Sequence, residues 1–155
     1  MGNQKPTAYN YALNLLAARP YTTRSLHRKL IQRDYEAADA DEAIRRLVAN
    51  GLLDDAKYAE QYARSKMLTT GASKRRLQQD LFRKGIKPEL ANEAIDAVMD
   101  QENIDTAAVV ERVARRKLAQ MGALEPLVLR RRLFAFLARR GYELDVIKSV
   151  VSRLT

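Results

Sequence analysis

The sequence predicts an all-α fold in which three tandem three-helix repeats form an elongated, curved helical array of right-handed type. Three observations predict it. Apolar residues recur at spacings of three and four, the period of a helix, and no segment alternates long enough to make a strand. One phrase is written twice, LFRKGI at 81–86 and LARRGY at 137–142, with a weaker copy, LIQRDY, at 30–35. Counted from Asp34, Gly85 and Gly141, five apolar positions then fall in register. They are Leu26, Leu77 and Leu133; Leu30, Leu81 and Leu137; Tyr35, Ile86 and Tyr142; Ile44, Ile95 and Val151; Leu47, Val98 and Leu154. Such a set specifies an internal repeat of about fifty residues.

The chain divides accordingly into a short N-terminal tail at 1–8 and repeats at 9–51, 52–103 and 104–155. The first helix of each repeat is marked by an apolar stretch: Tyr9, Ala12, Leu13 and Leu16; Tyr58, Ala59, Tyr62 and Ala63; Val109, Val110, Val113 and Ala114. The middle helix starts at Thr22 or Thr23, near Ser73 and at Pro126, since Thr and Ser suit an N-cap and Pro the first turn. It ends at the structural turn held by Asp34, Gly85 and Gly141, where glycine can take the left-handed conformation past a helix C-terminus more comfortably than aspartate. The third helix opens on a capping box of Asp39 and Glu42 in repeat one and on Pro88 in repeat two, and Gly51 closes the first repeat. Loops are expected at 68–73 and 119–126. A unit this small buries little by itself, so neighbouring repeats are expected to support one another.

The charge has an address. The net charge of +9 divides into +3 for residues 1–51, 0 for 52–103 and +6 for 104–155. The middle helices carry most of it: Arg24, Arg28, Lys29 and Arg33; Lys74, Arg75, Arg76, Arg83 and Lys84 beside Asp80 alone; Arg130, Arg131, Arg132, Arg139 and Arg140. Aligned, they would make a basic stripe for a polyanionic partner. Tyr9, Tyr11, Tyr58 and Tyr62 sit at helical spacing and read as packing residues rather than a stacking platform.

Catalytic chemistry finds no foothold. There is no cysteine, and His27 is the single histidine, set among Arg24, Arg28 and Lys29 as a surface residue. Cys/His metal sites and thiol nucleophiles are thereby excluded, and no metal or other cofactor is expected. TTGASK at 69–74 lacks the spacing of a phosphate-binding loop. Asp54 and Asp55 point about a hundred degrees apart on a helix, and read as partners of a helix N-terminus rather than of a metal. With neither an apolar span nor a secretory leader in the sequence, a cytoplasmic monomer with no membrane partner is expected.

LLDDAKYAEQYARSKM at 52–67, TTGASKRRLQQDLFRKGI at 69–86 and RRRLFAFLARRGY at 130–142 together resemble the RecX family of bacterial RecA regulators. YTTRSLHRKL at 21–30 is similar to the family's first-repeat helix, with Ser25 in place of an acid and Asp34 in place of a glycine. The resemblance implies a non-enzymatic protein that lies in the groove of the RecA–DNA filament. There it blocks extension or promotes disassembly, lowering ATPase, strand exchange and the coprotease activity of the SOS response. The implied partners are the RecA filament and, weakly and non-specifically, single- or double-stranded DNA. The alternative is a stand-alone basic helical-repeat protein that binds DNA or RNA. In it Arg75 and Arg76, or Arg131 and Arg132, would contact DNA as a helix-turn-helix does, without a specified base sequence.

Overall fold

The computed structural model describes residues 4–155, which form nine α-helices and no strand. Repeat one contains α1 (Ala8–Ala18), α2 (Thr23–Gln32) and α3 (Ala37–Ala49); repeat two contains α4 (Asp55–Thr70), α5 (Lys74–Arg83) and α6 (Pro88–Gln101). Repeat three contains α7 (Thr106–Met121), α8 (Pro126–Arg139) and α9 (Leu144–Leu154). In every repeat the third helix lies against both of the others. Each triplet closes its own core, in three separate clusters centred on Leu26 and Leu30, on Leu77 and Leu81, and on Leu133 and Leu137, and neighbouring repeats support one another through contacts between these units. The positions in register supply them. Only Tyr35 and Leu154, at the two ends of the array, are left partly buried.

Local chemistry sets the boundaries. Thr22 and Ser25 form a reciprocal capping box, the Ser25 hydroxyl accepting from the Thr22 backbone N–H at 3.0 Å. A serine thus does here what an acid at that position would do. Asp54 caps α4 by accepting from the N–H groups of Ala56 and Lys57, and Pro88 is the first residue of α6. Two expectations are corrected. The Asp39–Glu42 capping box does not form, because Ala37 and Ala38 extend α3 to an N-cap at Glu36, and Glu42 turns to Arg45 at 2.6 Å. The loops at 68–73 and 119–126 are shorter than expected, since α4 runs to Thr70 and α7 to Met121. In that last turn of α4 the Thr69 and Thr70 hydroxyls donate to the Ser65 and Lys66 carbonyls four residues back. Of the expected tail, residues 1–3 lie outside the described residues and Ala8 already opens α1.

Neighbouring repeats meet at joints built twice from the same parts. The Thr22 hydroxyl, N-cap of α2, donates to the Lys84 carbonyl at the end of α5 at 2.6 Å; the Ser73 hydroxyl, N-cap of α5, donates to the Arg140 carbonyl at the end of α8 at 2.8 Å. These two hydroxyl residues are the buried polar ones among the described residues. The middle helices therefore meet end to end, each N-terminus on the C-terminal turn of the next. Gly85 (φ 89) and Gly141 (φ 87) hold the turns. A Cβ on Gly85 would lie 2.6 Å from Arg24 Cβ and closer still to its Cδ, and one on Gly141 would lie 2.9 Å from the Ser73 hydroxyl. Glycine is required on both counts, handedness and approach.

Asp34 (φ 65) takes the same backbone conformation, but no other described repeat packs against its turn. The N-terminal segment covers that end instead. Lys5 Nζ donates to the Arg33 carbonyl at 2.5 Å, the position of Lys84 and Arg140, and the Tyr35 hydroxyl donates to the Pro6 carbonyl at 2.6 Å. In repeat three the Tyr142 hydroxyl makes the matching bond to the Gly71 carbonyl. Asp55 reinforces the first joint, accepting from the Thr23 N–H at 2.8 Å and its hydroxyl at 3.1 Å.

Separate cores strung on joints leave a large surface. The accessible area is 10092 Å², against roughly 7,900 Å² for a compact monomer of this mass. Small-angle scattering is expected to give a radius of gyration well above the about 15 Å of a compact chain of this length. Valine at Gly85 or Gly141 is expected to destabilise by at least about 1 kcal/mol from the left-handed backbone alone. Gly85→Ala is expected to lower the melting temperature too, whereas Asp34→Gly, which relieves a side chain of the left-handed backbone, is expected to raise or preserve it. Equal effects of alanine at 34 and at 85 would remove close approach as the reason for glycine.

Candidate functional site

The middle helices present their cations in three different states. Arg24 and Arg75 are part of the joints, laid along the glycine turns of the next repeat. Arg140 belongs there too, its guanidinium donating to the Thr70 carbonyl at 2.6 Å. These residues hold neighbours in place.

A second group is neutralised. Asp80 on α5, largely buried, binds Arg76 at 3.2 Å and Arg83 at 3.1 Å, and accepts from the Tyr62 hydroxyl at 3.0 Å. Burial, then the hydrogen bond to Asp80, push the Tyr62 hydroxyl up to about 12. Lys74 pairs with Asp96 at 2.7 Å, and Lys84 stands 5.2 Å from the Tyr62 ring. Repeat two, which carries no net charge, thus leaves only Arg75 and Lys84 of its middle-helix cations without an acid partner; the expected stripe is thinned at its middle.

The third group is uncompensated by any acid. In repeat one it comprises Arg28, Lys29 and Arg33, all exposed, with Arg33 5.4 Å from the Tyr11 ring. His27 beside them contacts Asp41 at 2.8 Å and takes no part. In repeat three it comprises Arg131, Arg132 and Arg139, while Arg130 bonds the Thr155 hydroxyl at 3.0 Å. Arg116 and Lys117 on α7 join them, because the last turns of α7 face α8. These two were missed in the sequence. The signal was present in ARRK at 114–117 and in the +6 of the last third.

Between α7 and α8 the free cations surround a groove of about 470 Å³, with Lys117, Arg132 and Arg139 on its walls and Phe136 in its floor. Lys117 Nζ lies 4.8 Å from the Phe136 ring. Arg132 and Arg139 stand four residues before and three after Phe136, as Arg76 and Arg83 stand about Asp80. Repeat three therefore keeps the two arginines and replaces the carboxylate between them by an aromatic ring. Such a face attracts anions in general and phosphate in particular, through charge and guanidinium geometry. No helix among the described residues is long and apolar enough to cross a membrane.

Comparison with known proteins agrees with this architecture. Family models for the first, second and third three-helix domains of RecX match residues 8–47, 54–95 and 105–151. A protein named regulatory protein RecX from Mycobacterium sp. (strain KMS) is 37% identical over 153 residues, spanning 97% of this chain and 82% of the relative. One from Trichlorobacter lovleyi is 35% identical and 97% of each chain is covered. The crystal structure of RecX from Lactobacillus salivarius superimposes with a TM-score of 0.81 at 24% identity, over 95% of this chain and 94% of the other.

Asp80 gives the electrostatic arrangement a direct test. Asp80→Asn is expected to free Arg76 and Arg83, tightening binding to a polyanion such as heparin or a nucleic acid severalfold. The slope of log affinity against log salt should steepen by up to about 1.4 if both cations reach phosphates of a single strand. Anisotropy titrations over a salt series measure both, and an unchanged slope would mean that the arginines never face the ligand.

Proposed function

Because the chain belongs to the RecX family, we propose that it is a non-catalytic negative regulator of RecA, binding as a monomer in the groove of the RecA–DNA filament. Bound there, it blocks extension or promotes disassembly, and so lowers ATPase, strand-exchange and coprotease activity. The observation that carries this reading is the placement of uncompensated cations. They occupy repeats one and three, at opposite ends of an end-to-end column of helices, rather than one compact patch. A long array charged at both ends suits an extended polyanionic assembly, where shape supplies fit and charge speeds encounter. Cations on flexible stems hold phosphates without reading base edges, which supports weak, non-specific contact with single- or double-stranded DNA. With a filament on chromosomal DNA as its partner, the protein would act in the cytoplasm.

The test is RecA ATPase on single-stranded DNA with this protein at substoichiometric amounts, where the parent is expected to inhibit. Joint replacement of Lys117, Arg132 and Arg139 by glutamate is expected to abolish inhibition with helicity and melting temperature nearly unchanged. Arg140 is excluded from the set because it holds a joint. Joint replacement of Lys57, Arg112 and Lys148, exposed elsewhere, should cost much less. Equal losses would mean that net charge alone steers the protein. Equal binding to bare and RecA-coated strands would instead favour a stand-alone nucleic-acid-binding protein.

A further inference from the structure

Lys29, Asp80 and Phe136 occupy the same position of the three repeats, five residues before the turn. In repeat two the acid there satisfies the arginines on either side of it, and the ring beside it, Tyr62, is contributed by the first helix. Repeat three exchanges these parts. The ring, Phe136, sits on the middle helix, and the first helix carries Val113 where α4 has Tyr62. Arg132 and Arg139 lose their internal anion, and Lys117 adds a third cation to the groove, its Nζ 4.8 Å from the Phe136 ring, which Arg140 of the joint approaches at 5.8 Å. Three like charges thus border one half-buried aromatic surface with no carboxylate among the lining residues. Solvent alone answers these charges until an external anion enters.

The ligand must satisfy two chemistries at once. Its anionic groups answer Arg132, Arg139 and Lys117, and a flat apolar group answers Phe136 and the adjacent Met121, with Gln120 at the groove wall able to donate to or accept from a polar edge. A strand of unpaired nucleotides has that composition, a phosphate on either side of every base. A duplex does not, since its bases are stacked and their faces covered. The groove's volume is that of a small-molecule site, room for one base with its sugar.

We propose that the α7–α8 groove is a nucleotide pocket for single-stranded nucleic acid, in which one unstacked base lies against Phe136 and the flanking phosphates are held by Arg132, Arg139 and Lys117. This rests on the reading of the basic face given above and names the strand it grips. Repeat two, with Asp80 at the equivalent position, lacks the pocket, and repeat one carries Lys29 there, its ring, Tyr11, coming from the first helix beside Arg33 instead. The pocket is therefore a single site, not one per repeat.

The experiment compares three labelled probes by fluorescence anisotropy, in the absence of RecA: a short oligodeoxythymidylate, an abasic strand with the same number of phosphates, and a duplex of the same length. The parent is expected to bind the oligodeoxythymidylate best. Phe136→Leu keeps apolar bulk and removes the π-face. It should weaken binding of that probe alone by roughly five- to a hundredfold, the span of one base–aromatic stack. Arg132→Gln with Arg139→Gln should weaken all three probes and lower the salt slope for the single strands by about 1.4. Melting curves confirm folding, and Phe136→Tyr, which restores a ring, should rescue the loss if packing was not its cause. Equal affinity of the parent for the abasic and thymidylate strands overturns the proposal, as does unchanged binding by Phe136→Leu. A polyglutamate peptide bound as tightly and lost equally in Phe136→Leu would assign the groove to an acidic protein segment and likewise overturn it. Failure of RecA inhibition with oligonucleotide binding intact would refute the filament reading and leave the pocket standing; inhibition without base-dependent binding would refute the pocket alone.

Discussion

A hydroxyl donated across each joint is the constraint on which the rest of the structure depends. Thr22 and Ser73 each cap their own helix and then supply their proton to the terminal carbonyl of the next repeat's middle helix. Both groups are removed from water there, so each would be costly to leave unpaired. Because the cores are closed within repeats, these bonds, the glycine approaches and the Tyr142–Gly71 contact fix one repeat against another. The end-to-end column of middle helices follows, and with it the spacing of every cation those helices carry. Glycine is needed at 85 and 141 because a backbone must come close, while aspartate suffices at 34 because only the N-terminal segment lies there.

The electrostatics depend on where acids are placed more than on how many bases there are. Repeats two and three have closely similar sets of basic residues on their middle helices, yet one is largely silent and the other open. One carboxylate, Asp80, makes most of that difference by engaging two guanidinium groups and a phenol from a largely buried position. Exposed pairs such as Glu42–Arg45 add little to stability. Their consequence is local, in that they remove cations from the surface available to a partner.

Much of this was legible in the sequence because a helix writes its packing at short range. The buried leucines, the turn residues and the proline at 88 were readable from spacing alone, and so was the basic character of each middle helix. What could not be read depends on contacts between distant segments. Gly85 announces a left-handed turn, but not that Arg24 lies against it, and Asp34 shares that backbone without the contact. Lys74, Arg76 and Arg83 look as free as Arg28, Lys29 and Arg132 until Asp96 and Asp80 are placed beside them. Lys117 and Arg116 escaped notice because they sit on a first helix, whereas the repeated basic motif directed attention to the middle ones. The exchange of Lys29, Asp80 and Phe136 at one position is itself written in the register of the repeats.

The direction of the joints sets an order of assembly during synthesis. Helix packing is confined to segments of about fifty residues, short enough for each repeat to collapse as soon as it clears the ribosome, with domains folding from the N-terminus onward. The Thr22 hydroxyl, however, finds its acceptor only once Lys84 has been made, and Ser73 only once Arg140 has. The first two repeats therefore each wait with one polar group exposed for the chain still to come. The opposite end of the first repeat can be closed from the outset, since Lys5 and Pro6 precede it. Elongation thus ratifies the repeats one after another, and an interrupted chain would expose an unjoined face marked by a lone hydroxyl.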